Sequence, residues 1–374
     1  MQPVRFIMIG GFLGAGKTTA IARLARTYHG RGQRVAIITN DHASELVDTH
    51  TFRSLGFNVG EIPGACFCGN LDDLTSAVER TGALVPPEVV LVEPVGSCTD
   101  MVATVIRPLK RLFTKHFDVA PYVVLLKPSH GTKILRGSDD VRGRGGGFSP
   151  QAEYIFRQQL EEADFVAINR IDQLEASHVD ELERLIRNQY PDMPVLRASA
   201  KTGQGFDEFL EFLDQRGEFG NRILALDYEQ YAAGEADLGW LNTGLLVEGR
   251  SPFDLDQLLL GIVTRLRESF GLAGLETAHL KVIGQWEGAF GVANLIASHA
   301  APELSLPSRQ RVPKAHLILN ARVAAEPSLL ETHVSNALKE VAGVMNLVMT
   351  ERHSQCFRPG QPIRPPKLPL AAQA

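Results

Sequence analysis

Residues 11–18, "GFLGAGKT", place a lysine and a threonine directly after a glycine-rich run. The spacing fits G-x-x-x-x-G-K-[ST], running through Gly11, Gly14, Ala15, Gly16, Lys17 and Thr18 to Thr19, and it suits triphosphate chemistry. Backbone N–H groups of such a loop, with those of a helix starting at its end, form a cage for phosphate oxygens. Lys17 is expected on the β- and γ-phosphates and the Thr18 hydroxyl on Mg²⁺. Glu93 closes the apolar run "EVVLVE" and is expected to hold the Mg²⁺ water shell, while the Gly96 N–H bonds the γ-phosphate. Asp41 closes "VAIITND" near the same strand ends. It reads either as a loop carboxylate or as the group that positions the attacking water.

The base is addressed further along. "EADFVAINRID" is a short apolar strand ending in Asn169 and Asp172, an N-x-x-D element. A carboxylate at Asp172 accepts both N1–H and N2–H₂ of guanine, whereas adenine offers no such donor pair. A second strand then leads to Ser199, Ala200 and Lys201, whose backbone can close over the guanine oxygen. The ordered pair after a phosphate loop favours GTP and GDP over ATP.

Two of the chain's four cysteines, Cys66 and Cys68, stand one residue apart in "IPGACFCGN". On an extended segment residues i and i+2 point the same way, so both thiolates can face one ion. Thiolates suit Zn²⁺, and a tetrahedral site needs two further ligands. Asp41, His42, Glu61 and Cys98 are the candidates, each weighed against a plain loop or packing role. A disulfide between Cys66 and Cys68 would close a small strained ring, so a redox pair is the weaker reading.

These groups need a scaffold that brings several strand ends together. "VRFIMIG" before the loop and a helix after it, followed by wholly apolar strands, point to an α/β P-loop NTPase domain with a mostly parallel sheet. This domain is expected over residues 1–220 and a smaller α+β domain over 227–350. A basic, proline-rich, extended tail is expected over 351–374. Within the second domain, "SPFDLDQLLLGIVTRLRESF" reads as a helix capped by Ser251 with Pro252 at its first position. The glycine-rich stretch 135–150 reads as a surface loop. His279, His299, His316 and His333 read as structural, and His353 with Cys356 as part of a docked tail rather than a metal arm.

A length of 374 residues accommodates two cores, and 44% hydrophobic with 22% charged residues is ordinary for a globular chain. A net charge of −5 gives no sign of a broad nucleic-acid or membrane surface. The apolar N-terminal stretch is too short to span a bilayer, so a cytoplasmic location is expected.

Taken in order, "GGFLGAGKTT", "TND", "GACFCGN", "EPVG", "NRID" and "SAK", with "GEADLGWLN" and "VPKAHLILNARV" beyond, resemble a CobW-type GTPase, a family of P-loop metallochaperones. The resemblance implies a GTP-hydrolysing carrier that presents Zn²⁺, Co²⁺ or a similar ion from the cysteine motif and delivers it to a client enzyme. Such a chain acts with that client, with a homodimer as a further option, and with neither nucleic acid nor membrane. Family members usually carry C-x-C-C, and Gly69 stands here at the third cysteine. Arg170 stands where a lysine is usual. Two other functions fit the residues: a metal-independent G protein that gates cofactor loading, and a P-loop kinase or ligase that uses ATP.

Overall fold

The computed structural model describes residues 3–41, 47–63, 71–82, 85–113, 115–137 and 148–360. Cys66, Cys68, His42 and residues 138–147 of the expected surface loop lie outside the described residues.

The first layer system runs β1 (Val4–Gly10), α1 (Lys17–Gly30), β2 (Val35–Asp41), α2 (Val47–Ser54), β3 (Asn58–Pro63), α3 (Leu71–Thr81) and β4 (Val89–Glu93). A π-helical turn, Val102–Ile106, leads into α4 (Arg107–Leu112), then β5 (Phe117–Val119), β6 (Val123–Leu126), α5 (Pro128–Arg136), α6 (Pro150–Glu162) and β7 (Phe165–Ile168). A 3₁₀ turn, Ile171–Gln173, precedes α7 (Ala176–Gln189), β8 (Val195–Arg197) and α8 (Phe206–Asp214). The strands pair in parallel in the order β3-β2-β4-β1-β6-β7-β8, with β5 also on β1. Every residue of β4, β6 and β7 is buried, and separate apolar clusters fill the two faces. Coverage on both faces explains why these strands read as unbroken apolar runs. All strand C-termini therefore meet at one edge, where open parallel sheets bind ligands.

The second layer system follows α9 (Tyr228–Ala236). It comprises β9 (Gly239–Asp254), α10 (Leu255–Leu272), β10 (Thr277–Trp286), β11 (Ala289–Leu295), β12 (Glu303–Leu306), β13 (Arg311–Val323), α11 (Pro327–Met345) and β14 (Leu347–Phe357). Its sheet is antiparallel in the order β12-β11-β10-β13-β9-β14. The stripe Leu258, Leu259, Ile262, Val263, Leu266 and Phe270 of α10 is buried against it. Each such side chain contributes about 1.5–3 kcal/mol of apolar burial.

Two expectations need correction here. Ser251, Pro252 and Phe253 belong to β9, and Asp254 is the cap, its side chain accepting from the Gln257 N–H at 2.9 Å. Phe253 pairs with Val312 beside a register shift in β13, a place where a strand tolerates proline. Residues 351–357 are not tail but the edge strand β14, with Cys356 opposite Leu241.

The two sheets are joined through buried polar contacts. Lys127 Nζ, at the end of β6, donates to the Ala278 carbonyl at 2.6 Å, and His130 Nε2 lies 3.0 Å from Glu276 Oε1. Ser97 donates to Glu235 of α9 at 2.6 Å. Among the described residues no helix is long and apolar enough to cross a membrane.

Candidate functional site

The loop after β1 turns at Gly11, Gly14 and Gly16, all with positive φ. Gly16 caps α1 in the left-handed region (φ 98°), and a Cβ there would stand 2.4 Å from Asn169 Nδ2. Only glycine fits. The first N–H groups of α1, from Lys17 through Thr19, thus point from a helix start into the cavity. Lys17 is 7% exposed and donates from Nζ to the Gly11 carbonyl at 2.9 Å, folding back over its own loop. Burial lowers its pKa, with the Glu93 and Asp48 carboxylates opposing.

Asn169 ties three loops together at one end of the site. Its Nδ2 donates to the Ala15 carbonyl at 2.7 Å, and its Oδ1 accepts from the N–H groups of Ala200 (3.0 Å) and Arg170 (2.9 Å). One amide thereby joins the phosphate loop, the N-x-x-D turn and the Ser-Ala-Lys loop. The Ser199 hydroxyl, fully buried, accepts from the Thr202 N–H and shapes that third loop. Asp172 lies exposed in the 3₁₀ turn and lines the cavity with Arg170, Gln173, Ala200 and Lys201.

At the opposite end, Thr18 Oγ1 lies 2.9 Å from Asp48 Oδ1 and 3.1 Å from Glu93 Oε1. Burial, then repulsion from Asp48, pushes the Glu93 carboxyl up to about 8. Burial acts the same way on Asp48, but the neighbouring Lys281 ammonium overcomes it and holds that carboxyl down to about 2. Glu93 Oε2 is buried with no hydrogen-bond partner among the described residues. A hydroxyl and two carboxylates, one oxygen of them unsatisfied, form a donor set that fits a hard, oxygen-loving cation such as Mg²⁺. Asp48 escaped the sequence reading. An aspartate in the first turn of α2 has the ordinary appearance of a helix-dipole partner.

Glu93 stands opposite Thr39 of β2, whose last residue, Asp41, pairs with Pro63 of β3. β3 thus ends at Pro63 beside Asp41, while Cys66, Cys68 and the Asp41 side chain lie outside what the structure describes. Gly96 presses on the phosphate loop, where a Cβ would meet Leu13 Cδ2 at 2.7 Å. Its carbonyl, like that of Cys98, accepts from the buried amide of Gln159. Cys98 is 2% exposed and packed in the apolar cluster under this segment. Glu61 pairs with Arg53 at 3.6 Å. Among the described residues no three His, Cys, Asp or Glu side chains gather as a metal centre.

The cavity of about 290 Å³ above the phosphate loop has a second wall made by β10, β11, β12 and β13. Lys281, Asn294, Glu303, Asn320 and Arg322 line it, and so does His279. Of the histidines expected to be structural, His316 stacks on Trp286 and His333 bonds Ser269, whereas His279 faces the site. Cys356 donates to the Pro327 carbonyl within the second sheet's surroundings, and burial pushes its thiol up to about 11.

The family model described as "CobW/HypB/UreG, nucleotide-binding domain" matches residues 5–197. A zinc chaperone CobW from Sinorhizobium sp is 24% identical over 220 residues, which is 53% of this chain and 59% of that protein. The chain thus matches less than two thirds of that relative's length. Among solved structures, Zn(II)-bound YjiA GTPase from E. coli is similar at 14% identity and a TM-score of 0.39, over 90% of this chain and 99% of that one. HypB from Helicobacter pylori in complex with nickel is similar at 18% identity and a TM-score of 0.40, over 56% and 85%. With its matched region covering β1 to β8, the chain belongs to the CobW/HypB/UreG family of nucleotide-binding domains.

Proposed function

We propose that this protein binds GTP, hydrolyses it slowly, and uses the nucleotide state to take up and hand over a transition metal of the Zn²⁺ or Co²⁺ class to a client enzyme. The observation that carries the reading is Asn169, which makes the phosphate cage and the base-reading loops one unit. Asp172 at the mouth of that unit accepts the two N–H donors of guanine, and the Ser199–Lys201 backbone closes on the base oxygen. Lys17 exchanges the Gly11 carbonyl for β- and γ-phosphate oxygens, and Gly96 offers its N–H to the γ-phosphate. Thr18, Glu93 and Asp48 are the residues that would hold Mg²⁺. When bound with the nucleotide, this ion neutralises charge on the phosphate oxygens. Asp41, at the same strand ends, orients the attacking water.

The cargo half of the proposal is supported by the strand register. β3 ends at Pro63, which pairs with Asp41; in sequence Cys66 and Cys68 follow Pro63 by three and five residues, and Cys98 follows Gly96 by two. A metal held by these thiolates would feel the presence of the γ-phosphate. The nucleotide half is tested by calorimetry with GDP, ADP and XDP on the wild type and Asp172→Asn. Wild type should prefer GDP by at least about 100-fold over ADP, the scale of one lost charged hydrogen-bond pair. Asp172→Asn should weaken GDP and admit XDP. Equal binding of GDP and ADP by the wild type refutes the guanine assignment.

A further inference from the structure

The second domain enters the site at two separate places. At the phosphate end, Lys281 of β10 donates from Nζ to Asp48 Oδ1 at 2.5 Å, the same oxygen that faces Thr18 Oγ1. Its side chain is 9% exposed. Its charge also acts on Lys17 and on Glu93. At the base end, Glu303 of the edge strand β12 pairs with Lys201 and, at 3.5 Å, with Arg170. Those two cations line the cavity with Asp172. Between the two contacts, Asn294 and Asn320 flank Lys281 in register on β11 and β13. Each of these residues lines the wall and has a buried side-chain oxygen without a hydrogen-bond partner among the described residues.

Docking of the two sheets does not rest on these pairs alone, because Lys127–Ala278, packed against Gly14 of the phosphate loop, and His130–Glu276 also join them. Every first-domain partner of Lys281 and Glu303 is instead a residue of the nucleotide site. Two carboxylates facing one hydroxyl repel each other, and a cation fixed on one of them keeps both in place. Likewise, Arg170 and Lys201 are long side chains whose rotamers a shared carboxylate restricts.

We propose that Lys281 and Glu303 are positioning residues of the nucleotide site, Lys281 holding Asp48 on the Thr18 hydroxyl and Glu303 holding Arg170 and Lys201 around the base. The second domain is then required for full nucleotide affinity. By linkage, a protein that binds the second sheet and shifts these side chains alters nucleotide affinity, and nucleotide alters that protein's binding by the same factor. The inference rests on the guanine-nucleotide reading above.

The test is calorimetry of the full chain with GDP and ADP, each in Mg²⁺ and in EDTA. Lys281→Gln should weaken GDP about tenfold in Mg²⁺, leave the EDTA affinity unchanged, and keep the GDP-to-ADP ratio. Lys281→Arg, which keeps the charge, should recover most of the loss. Glu303→Gln should weaken GDP about threefold to tenfold in both conditions and leave ADP unchanged. A Lys281→Gln loss that is equal in Mg²⁺ and EDTA, or a Glu303→Gln loss shared by GDP and ADP, reduces the contacts to interdomain packing and overturns the proposal. So do variants that bind like a wild type that itself prefers GDP. A wild type with no base preference overturns the guanine reading instead.

Discussion

Asn169→Ala is the perturbation with the most directly countable consequence. The side chain is 2% exposed, and its amide makes three hydrogen bonds between 2.7 and 3.0 Å to backbone groups of three different loops. Its orientation is settled by chemistry, since Oδ1 faces two N–H donors and Nδ2 faces a carbonyl. Truncation leaves those backbone groups without their partner. At about 0.5–1.5 kcal/mol of net stabilisation per bond, the loss is roughly 2–4 kcal/mol. Part of it appears as reduced stability and part as loosened loops that nucleotide must reorder. Sharing the loss equally predicts GDP binding weaker by about 5–30-fold, since about 1.4 kcal/mol is one decade. Asn169→Asp is a sharper companion: it keeps both acceptor bonds but sets a second oxygen against the Ala15 carbonyl, and it should bind GDP no better than the alanine variant. The assay is calorimetric GDP titration paired with thermal melting of the nucleotide-loaded chain. Alanine-variant affinity within twofold of wild type, with an unchanged melting temperature, would falsify the stapling argument.

Lys17→Ala should abolish binding of GTP and GDP in the same titration, because Lys17 is the side-chain cation seated on the phosphate loop itself; retained micromolar affinity contradicts that role. Asp41→Ala should spare GDP affinity and slow single-turnover GTP hydrolysis, and an unchanged rate returns Asp41 to a loop carboxylate. Acid stability should carry the signature of His130, whose pKa burial and the nearby Lys127 push down to about 3. The unfolded chain binds that proton near the ordinary value of about 6.5 and the folded chain does not. The stability is therefore complete above pH ~6.5 and is lost as pH falls toward 3, by up to about 1.4 kcal/mol per pH unit. His130→Gln, which keeps a donor for Glu276, should flatten the profile between pH ~6.5 and 5. Parallel profiles for the two proteins would remove His130 as the cause.

The contiguous motifs were the legible part of this protein. Glycines at fixed offsets, an N-x-x-D turn and apolar strands each carry a local signal, so the parallel sheet and the loops at its strand ends could be read in order. Asp48, Lys281, Glu303 and His279 could not, because they meet only when the second sheet docks over the first. An aspartate in a helix's first turn or a lysine in a half-buried strand has a bland local meaning. Local rules also misplaced two boundaries. Ser251 and Pro252 form a good helix start in isolation, yet pairing of Phe253 with Val312 keeps the chain extended until Asp254. Residues 351–357 have the local appearance of a tail because an edge strand pairs on one side only and carries charge on its exposed positions, as Glu351 and Arg352 do.

The central claim is that nucleotide state governs a thiolate-held metal, and cobalt(II) absorbance measures it most directly. Anaerobically prepared protein is titrated with Co²⁺ in GDP and in a non-hydrolysable GTP analogue, and the thiolate-to-metal band reports bound sulfur. The band should be stronger and tighter in the triphosphate state. It should disappear in Cys66→Ser or Cys68→Ser, and it should lose most of its nucleotide dependence in Cys98→Ser. A thiolate band absent in both nucleotide states contradicts the metal-carrier account.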